Sequence, residues 1–419
     1  MDNITHSLVG LALGELVERS LPASAAPVQG PTRRHALLLT GLLASNFPDL
    51  DLVLTPLLPA PLGYLIHHRG HTHTLLYALP QVALLLGLAW LLWPGLRRLL
   101  RADPLARRAV LGTALLGMVL HLGFDALNVY GVHPFHPVDS RWLYGDLVFI
   151  VEPVFWTALG FALAPLASRP ILRWLGLAAF TAMPLLFTWL GYLQWGSLAG
   201  LAALALAVLA CGRRLGAGAG LVAAVLACAG FVGVQALAGQ AARAQIRAAL
   251  DSTAPGSRVL DLPLSSFPAN PLCWSFATVA MGPAPAPGPG PGRARTYTVR
   301  VGVLSLAPGI TPVAACPRRF GGEPGSRATA LAWKYAETRS IAAFQDLQRS
   351  NCHFEAWLRF ARVPSLLDGA ATDLRFGPPG QPNFSTLPYA ARAGDPCPAP
   401  LATWSYPRAD LLGRPPGAN

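Results

Sequence analysis

The sequence predicts a mainly α-helical protein: a polytopic helical membrane domain over residues 1–239, followed by an extracytoplasmic α+β domain over residues 240–419. Three observations predict it. Of the 419 residues, 53% are hydrophobic and only 12% are charged. That is about half the charge of a soluble domain, which excludes a disordered chain, a coiled coil and an ordinary soluble enzyme. Apolar stretches recur up to residue 239 and then stop, and beyond it Arg is spread throughout, with four Cys and a Pro/Gly-rich run.

Taken in chain order, two short apolar helices over 4–17 and 36–47 suit re-entrant or protein-buried segments. Membrane-length stretches follow at 74–93, 110–130, 147–167, 174–193 and 216–239, each near the ~20 residues that cross a hydrocarbon core. The stretch 197–211 is shorter and predicts a thin or partly embedded helix. The opening MDNITHSLVG lacks a basic region and a small-residue cleavage site, so no cleavable signal peptide is expected. In the tail, 296–306 and 354–363 alternate in the manner of half-buried strands. The segment 328–349 predicts an amphipathic helix, and 282–292 (GPAPAPGPGPG) a flexible hairpin insert. A tail of about 180 residues is long enough to bury its own core.

Arginine positions orient the bundle. Arg19, Arg33, Arg34, Arg97, Arg98, Arg101, Arg107, Arg108, Arg169, Arg173, Arg213 and Arg214 fall on one side if the helices alternate, whereas the opposite loops hold only Arg69 and Arg141. The first side is therefore cytoplasmic, and the tail lies outside. Cys211 and Cys228 sit in apolar spans as small buried thiols. Cys273, Cys316, Cys352 and Cys397 lie in the tail, where an oxidising compartment favours one or two disulfides whose pairing is open. The formal charge of +12 comes from 32 basic residues of which only Lys334 is lysine. This reads as compositional bias rather than a nucleic-acid interface. The partners expected are a lipid bilayer and a small-molecule or lipid substrate, with no nucleic acid.

Nine of the ten histidines lie within residues 1–136. Ionisable residues among membrane segments are costly and point to function, and here they collect toward the outer face. His121 and Asp125 are one helical turn apart on one face, either a polar clasp between helices or two metal ligands. HHRGHTH supplies His67, His68, His71 and His73, too dense a set to be satisfied core residues. His67 and His68 are taken as ligands and His71 and His73 as catalytic acid or base, although which of the four ligate stays open. Asp49 and Asp51 either cap a helix or share their oxygens between cations. His6 joins the ligands by its company. His133, His136, Asp146 and Glu152 are placed near the site as orienting groups or further ligands; His35 and His353 are left out.

A His/Asp set without Cys favours zinc or another divalent ion, one to three in number. No nucleophile elbow, P-loop, kinase or dinucleotide fingerprint accompanies it. Hydrolysis by metal-activated water is the simplest chemistry these residue types support.

MDNITHSLVG, SNFPDLDLV, HHRGHTHTLL, HLGFDALNVYG and GDLVFIVEP, in that order, resemble the YdjM-like family of bacterial inner-membrane proteins, and the resemblance implies a metal-dependent hydrolase. The resemblance covers residues 1–160 strongly, and NPLCW at 270–274 is similar to the longer members. It implies a multi-pass protein of the bacterial inner membrane. That family is distantly similar to zinc-dependent phospholipase C and P1 nuclease. The likeness implies His121 and Asp125 as an HxxxD ligand pair, Asp49 or Asp51 as carboxylate, and His6 with members of the histidine run as imidazoles. The function expected is a membrane-bound hydrolase attacking a phosphoester, with lipid-linked phosphates among the candidates, at the outer face. The alternatives are a membrane di-iron oxidase or hydroxylase, and a metal transporter or sensor without catalysis.

Overall fold

The computed structural model describes residues 1–23, 29–283, 295–317, 319, 330–398 and 404–415. Nine helices come first among the described residues: α1 (Asn3–Ser20), α2 (Gln29–Ala44), α3 (Leu75–Leu92), α4 (Pro94–Ala102), α5 (Pro104–Ala126), α6 (Pro153–Leu163), α7 (Pro170–Trp189), α8 (Trp195–Leu215) and α9 (Ala217–Thr253). Five of them, α3, α5, α7, α8 and α9, are long and apolar enough to cross a membrane. Their outward faces carry unpartnered large hydrophobics such as Leu91, Trp174, Leu206 and Leu226, a surface that only lipid covers without cost. The chain therefore has a multi-pass helical membrane architecture followed by a distinct C-terminal mixed α/β domain, as an extracytoplasmic placement of that domain requires.

Two of the expected spans exchange roles. The stretch 147–167 is not a full span, since Pro153 at the first helical position and the Glu152 cap start α6 late, and it gives way to a 3₁₀ turn at Ala164–Leu166. Residues 153–162 are all buried, so their apolarity serves protein packing and not lipid contact. Conversely 197–211 extends to the full α8, because Trp195, Gly196 and the final Arg213–Arg214 pair are all accommodated in the helix. The start of α5 lies earlier than the apolar stretch suggests, as Asp103 accepts from the Leu105 and Ala106 amides and Pro104 fixes the first turn. Between α3 and α5, α4 is an amphipathic helix burying Leu96 and Leu99 and exposing Arg98 and Arg101, as an interfacial helix does.

The C-terminal domain is built on a five-stranded antiparallel sheet of β1 (Arg258–Asp261), β2 (Leu264–Phe267), β3 (Asn270–Met281), β4 (Thr296–Ser305) and β5 (Leu331–Ser340), in the order β1-β3-β4-β5 with β2 also on β3. Then come α10 (Ile341–Ser350), α11 (Cys352–Leu358) and the hairpin β6 (Pro364–Leu367) and β7 (Ala370–Asp373). The expected strand 296–306 is β4. Two other expectations are corrected. The segment expected at 328–349 is, over its described residues from 330 on, a strand and then a helix: residues 331–340 pair with β4 along its length, and the Ser340 hydroxyl caps α10. The segment 354–363 is not a strand, because Asn351 caps α11 through the Phe354 amide and a turn follows. The expected hairpin insert falls largely on 284–294, outside the described residues. Disulfides join Cys273 to Cys316 and Cys352 to Cys397, while Cys211 and Cys228 are free.

The two parts share hydrophobic cores. The end of α9 packs Ala242, Ile246 and Leu250 against Leu264, Trp274 and Phe276. The largest cluster mixes Leu62, Leu65, Ile66 and Tyr130 from the helical half with Phe354, Trp357, Phe360 and Trp404. The tail thus seats on the loops that carry the histidines.

Candidate metal centre

The site begins with the close approach of α1 and α2. A Cβ on Gly10 would lie 2.2 Å from the Gly41 carbonyl oxygen, and one on Gly41 2.1 Å from that of Gly10, so only glycine allows this crossing. The Asp2 carboxylate caps α1, accepting from the Thr5 amide at 3.0 Å and from Trp156 Nε1 at 3.1 Å. This fixes His6 inward, and it brings the Met1 amine against Asp125 Oδ1. After α2, the 3₁₀ turn Pro48–Val53 turns Asp49 inward beside Asp51. The run from His67 to His73 folds back over this turn through Arg69, which holds a left-handed φ of 58°, a strained state for a side-chain-bearing residue. The last two turns of α5 add His121 and Asp125, both fully buried.

Four ligand-type atoms converge. His121 Nε2 lies 3.0 Å from His73 Nε2. Asp49 Oδ1 is 3.3 Å from the His73 nitrogen and 3.6 Å from that of His121. Asp125 Oδ2 is 3.3 Å and 3.4 Å from the same two atoms. All four atoms lie within 4.8 Å of one another. A second group, Asp51, His68 and His73, meets the same limit and shares His73.

Hydrogen bonding settles which nitrogens carry lone pairs. His121 Nδ1 is 2.7 Å from the Ser45 carbonyl; a carbonyl only accepts, so Nδ1 holds the proton and Nε2 faces the centre unprotonated in the neutral ring. Thr72 Oγ1 donates to Asp51 Oδ2 at 2.6 Å and lies 3.0 Å from His73 Nδ1. The hydroxyl thus accepts from His73, whose Nε2 is likewise left with its lone pair. Asp125 Oδ1 takes the Met1 amine and Arg69, the latter at 2.8 Å, and Asp125 Oδ2 has no hydrogen-bond donor of its own. Asn3 Nδ2 donates to Asp49 Oδ2 at 2.9 Å, leaving Oδ1 turned inward. Two lone pairs and two carboxylate oxygens facing one point suit a divalent cation, and imidazoles with their second nitrogen bonded outward are the usual metal-ligand arrangement.

The structure distributes the remaining expected residues. His6 stacks on His121 with centroids 3.9 Å apart, its Nε2 is 3.4 Å from Asp125 Oδ1, and neither of its nitrogens has a hydrogen bond. His68 Nδ1 is 2.9 Å from Asp51. His67 lies outside both groups. His71 is exposed at the rim, its ring against Trp404 and His136. His133 Nδ1 donates to the Arg69 carbonyl at 3.2 Å, and its ring stacks on Trp404. Burial holds His133 at about 3 and therefore neutral. His136 Nδ1 contacts Ser140 Oγ at 2.9 Å. Asp146 instead binds Arg362 and Arg243, and Glu152 caps α6 and accepts from the Ala269 amide; neither joins a group. Sequence reasoning did not single out Arg69, Thr72, Ser45, Asn3 or Trp404. Arg69 stood inside the histidine run, yet it counted only as a loop charge.

This buried His/Asp cluster is consistent with a metal-binding site within the membrane-embedded helical region. Residues 1–196 match the family model described as YdjM inner membrane protein. That similarity covers α1 through the start of α8, and so every residue of the cluster. The chain is also similar to YfhP of Bacillus subtilis (strain 168), described as an uncharacterized protein, at 32% identity over 155 residues. The match spans 36% of this chain and 42% of that relative's length. No solved structure matches the chain.

Proposed function

We propose that the chain is a membrane-bound metal-dependent hydrolase that cleaves a phosphoester at the outer face of the membrane. The observation that carries this reading is the convergence of His73 Nε2, His121 Nε2, Asp49 Oδ1 and Asp125 Oδ2 within 4.8 Å. These four would hold a divalent ion, with zinc the best fit to two imidazoles and two carboxylates. Asp51 bonds His68 Nδ1 at 2.9 Å and orients His73 through the Thr72 hydroxyl, and His6 is the reserve imidazole. A divalent ion held by these residues would lower the pKa of water and polarise a phosphoryl oxygen.

The chain's own residues do the rest. Ser45 and the Thr72–Asp51 pair fix both ring orientations, and Arg69 with the Met1 amine offsets the buried charge of Asp125. His71, exposed at the rim, delivers a proton to the leaving-group oxygen, and His136 beside it assists the transfer. A lipid-linked substrate is favoured because the turn that carries Asp49 and Asp51, together with the residues just after it, exposes Leu50, Val53, Leu54 and Leu57 at 55–80%, an apolar approach beside the site.

The test is hydrolysis by the purified full-length chain across a panel of phosphodiesters and phospholipids. Activity that chelator abolishes, zinc restores and Asp49→Asn removes is the expected result. Iron content with oxygen-dependent turnover would identify an oxidase instead.

A further inference from the structure

We propose that the end of the bundle opposite the His/Asp cluster holds an anionic phospholipid. There the last turns of α6 and α8 meet the first turns of α7 and α9 around a cavity of about 350 Å³, within the usual range of ligand pockets. Its wall is apolar, formed largely by Phe161, Leu177 and Leu209, and Arg173 and Arg213 stand on its lining. Among the described residues no carboxylate lies within ion-pairing distance of either guanidinium. Arg173 has only its Nε engaged, donating to the Ala167 carbonyl at 2.7 Å.

The acidic residues at this end are committed elsewhere. Glu15 holds Arg19 and Arg34, and Glu18 holds Arg33. Two unpaired cations on an otherwise oily pocket are complementary to a phosphate joined to hydrocarbon. Free phosphate gains nothing from the wall, and a zwitterionic lipid brings a trimethylammonium that offsets its phosphate beside the arginines. Trp174, 71% exposed beside the cavity, is the interfacial aromatic that borders a headgroup. Basic pockets between membrane helices on the arginine-rich side recognise anionic headgroups on the same physical grounds. This site uses none of the residues of the metal centre, so the two readings stand or fall separately.

The experiment is native mass spectrometry of the full-length protein exchanged into nanodiscs of phosphatidylglycerol, of phosphatidylcholine, or of phosphatidylcholine with inorganic phosphate. The wild type is expected to retain one phosphatidylglycerol and no phosphatidylcholine. Arg173→Gln/Arg213→Gln should weaken that retention at least about tenfold. Arg97→Gln/Arg98→Gln, on the same side but away from the cavity, should leave it unchanged. Leu209→Trp, which fills the pocket and keeps both arginines, should abolish it in protein that stays monodisperse. Equal retention of both lipids, equal retention by wild type and the Arg173/Arg213 variant, or phosphate bound alone would each overturn the proposal.

Discussion

Asp51 reaches His73 through the Thr72 hydroxyl, with a direct approach of 3.4 Å to Nδ1. Asp51→Asn weakens that relay without removing any of the four converging atoms. The expected outcome is a loss of metal affinity of about 10–100-fold at unchanged stoichiometry, measured by competition with a chromophoric chelator. Loss of one full equivalent would instead assign Asp51 to a second ion. At this scale the sequence exposed the ligand candidates well. His121 and Asp125 share a face by helical spacing, and the histidine run is too dense for ordinary burial. What it could not show was the set of groups that orient them. Ser45, Arg69 and the Met1 amine meet Asp125 and His121 only after four separate segments pack together, and no local pattern encodes that meeting.

Among the elements, the α1–α2 crossing sets the distance from His6 to the Asp49 turn. Gly10→Ala places a methyl where the Gly41 carbonyl oxygen lies 2.2 Å away. Overpacking of this kind costs about 1–3 kcal/mol. It should lower the thermal midpoint and reduce metal occupancy, although no ligand is altered, and a melt with and without added zinc checks both. Element type was legible from alternation in β4 and from a long apolar run in α5. It failed where the same apolar content serves two ends. The segment 147–167 is apolar because α6 is surrounded by protein, and hydropathy does not distinguish that from lipid. The segment 328–349 has helix-forming residues throughout, but its first half completes the edge of β4, and long-range pairing overrode local preference.

At the scale of the molecule, the tail is locked to the helical half by Arg362, which bonds Asp146 at 2.8 and 3.0 Å and Asp261 at 2.8 and 3.0 Å. Burial raises the Asp261 carboxyl, but Arg362 and Arg408 more than reverse this and hold it at about 2, against an ordinary 3.8. A carboxylate with a depressed folded pKa contributes stability that is complete above the ordinary value and is lost as pH falls through the folded one. The contribution is about 2 kcal/mol, disappearing between about pH 4 and pH 2. Tryptophan fluorescence melts across that interval should show the loss in wild type. Arg362→Ala leaves Asp146 with Arg243 alone and Asp261 with Arg408 alone, costing about 3 kcal/mol, the low end for a broken buried pair, and should loosen the tail at neutral pH. The domain's presence and rough α+β character were legible from composition. Its seating over the histidines was not, since Trp404 reaches His71, His133 and His136 from the far end of the chain.

The proposed function requires that His73, His121, Asp49 and Asp125 hold a divalent metal ion. Elemental analysis of the full-length protein, purified without chelator and dialysed against excess zinc, tests it most directly. At least one equivalent is expected in the wild type, and loss of it in both His121→Ala and Asp125→Asn while each variant remains monodisperse. A wild type with no stoichiometric metal, or variants that retain the full complement, would contradict it.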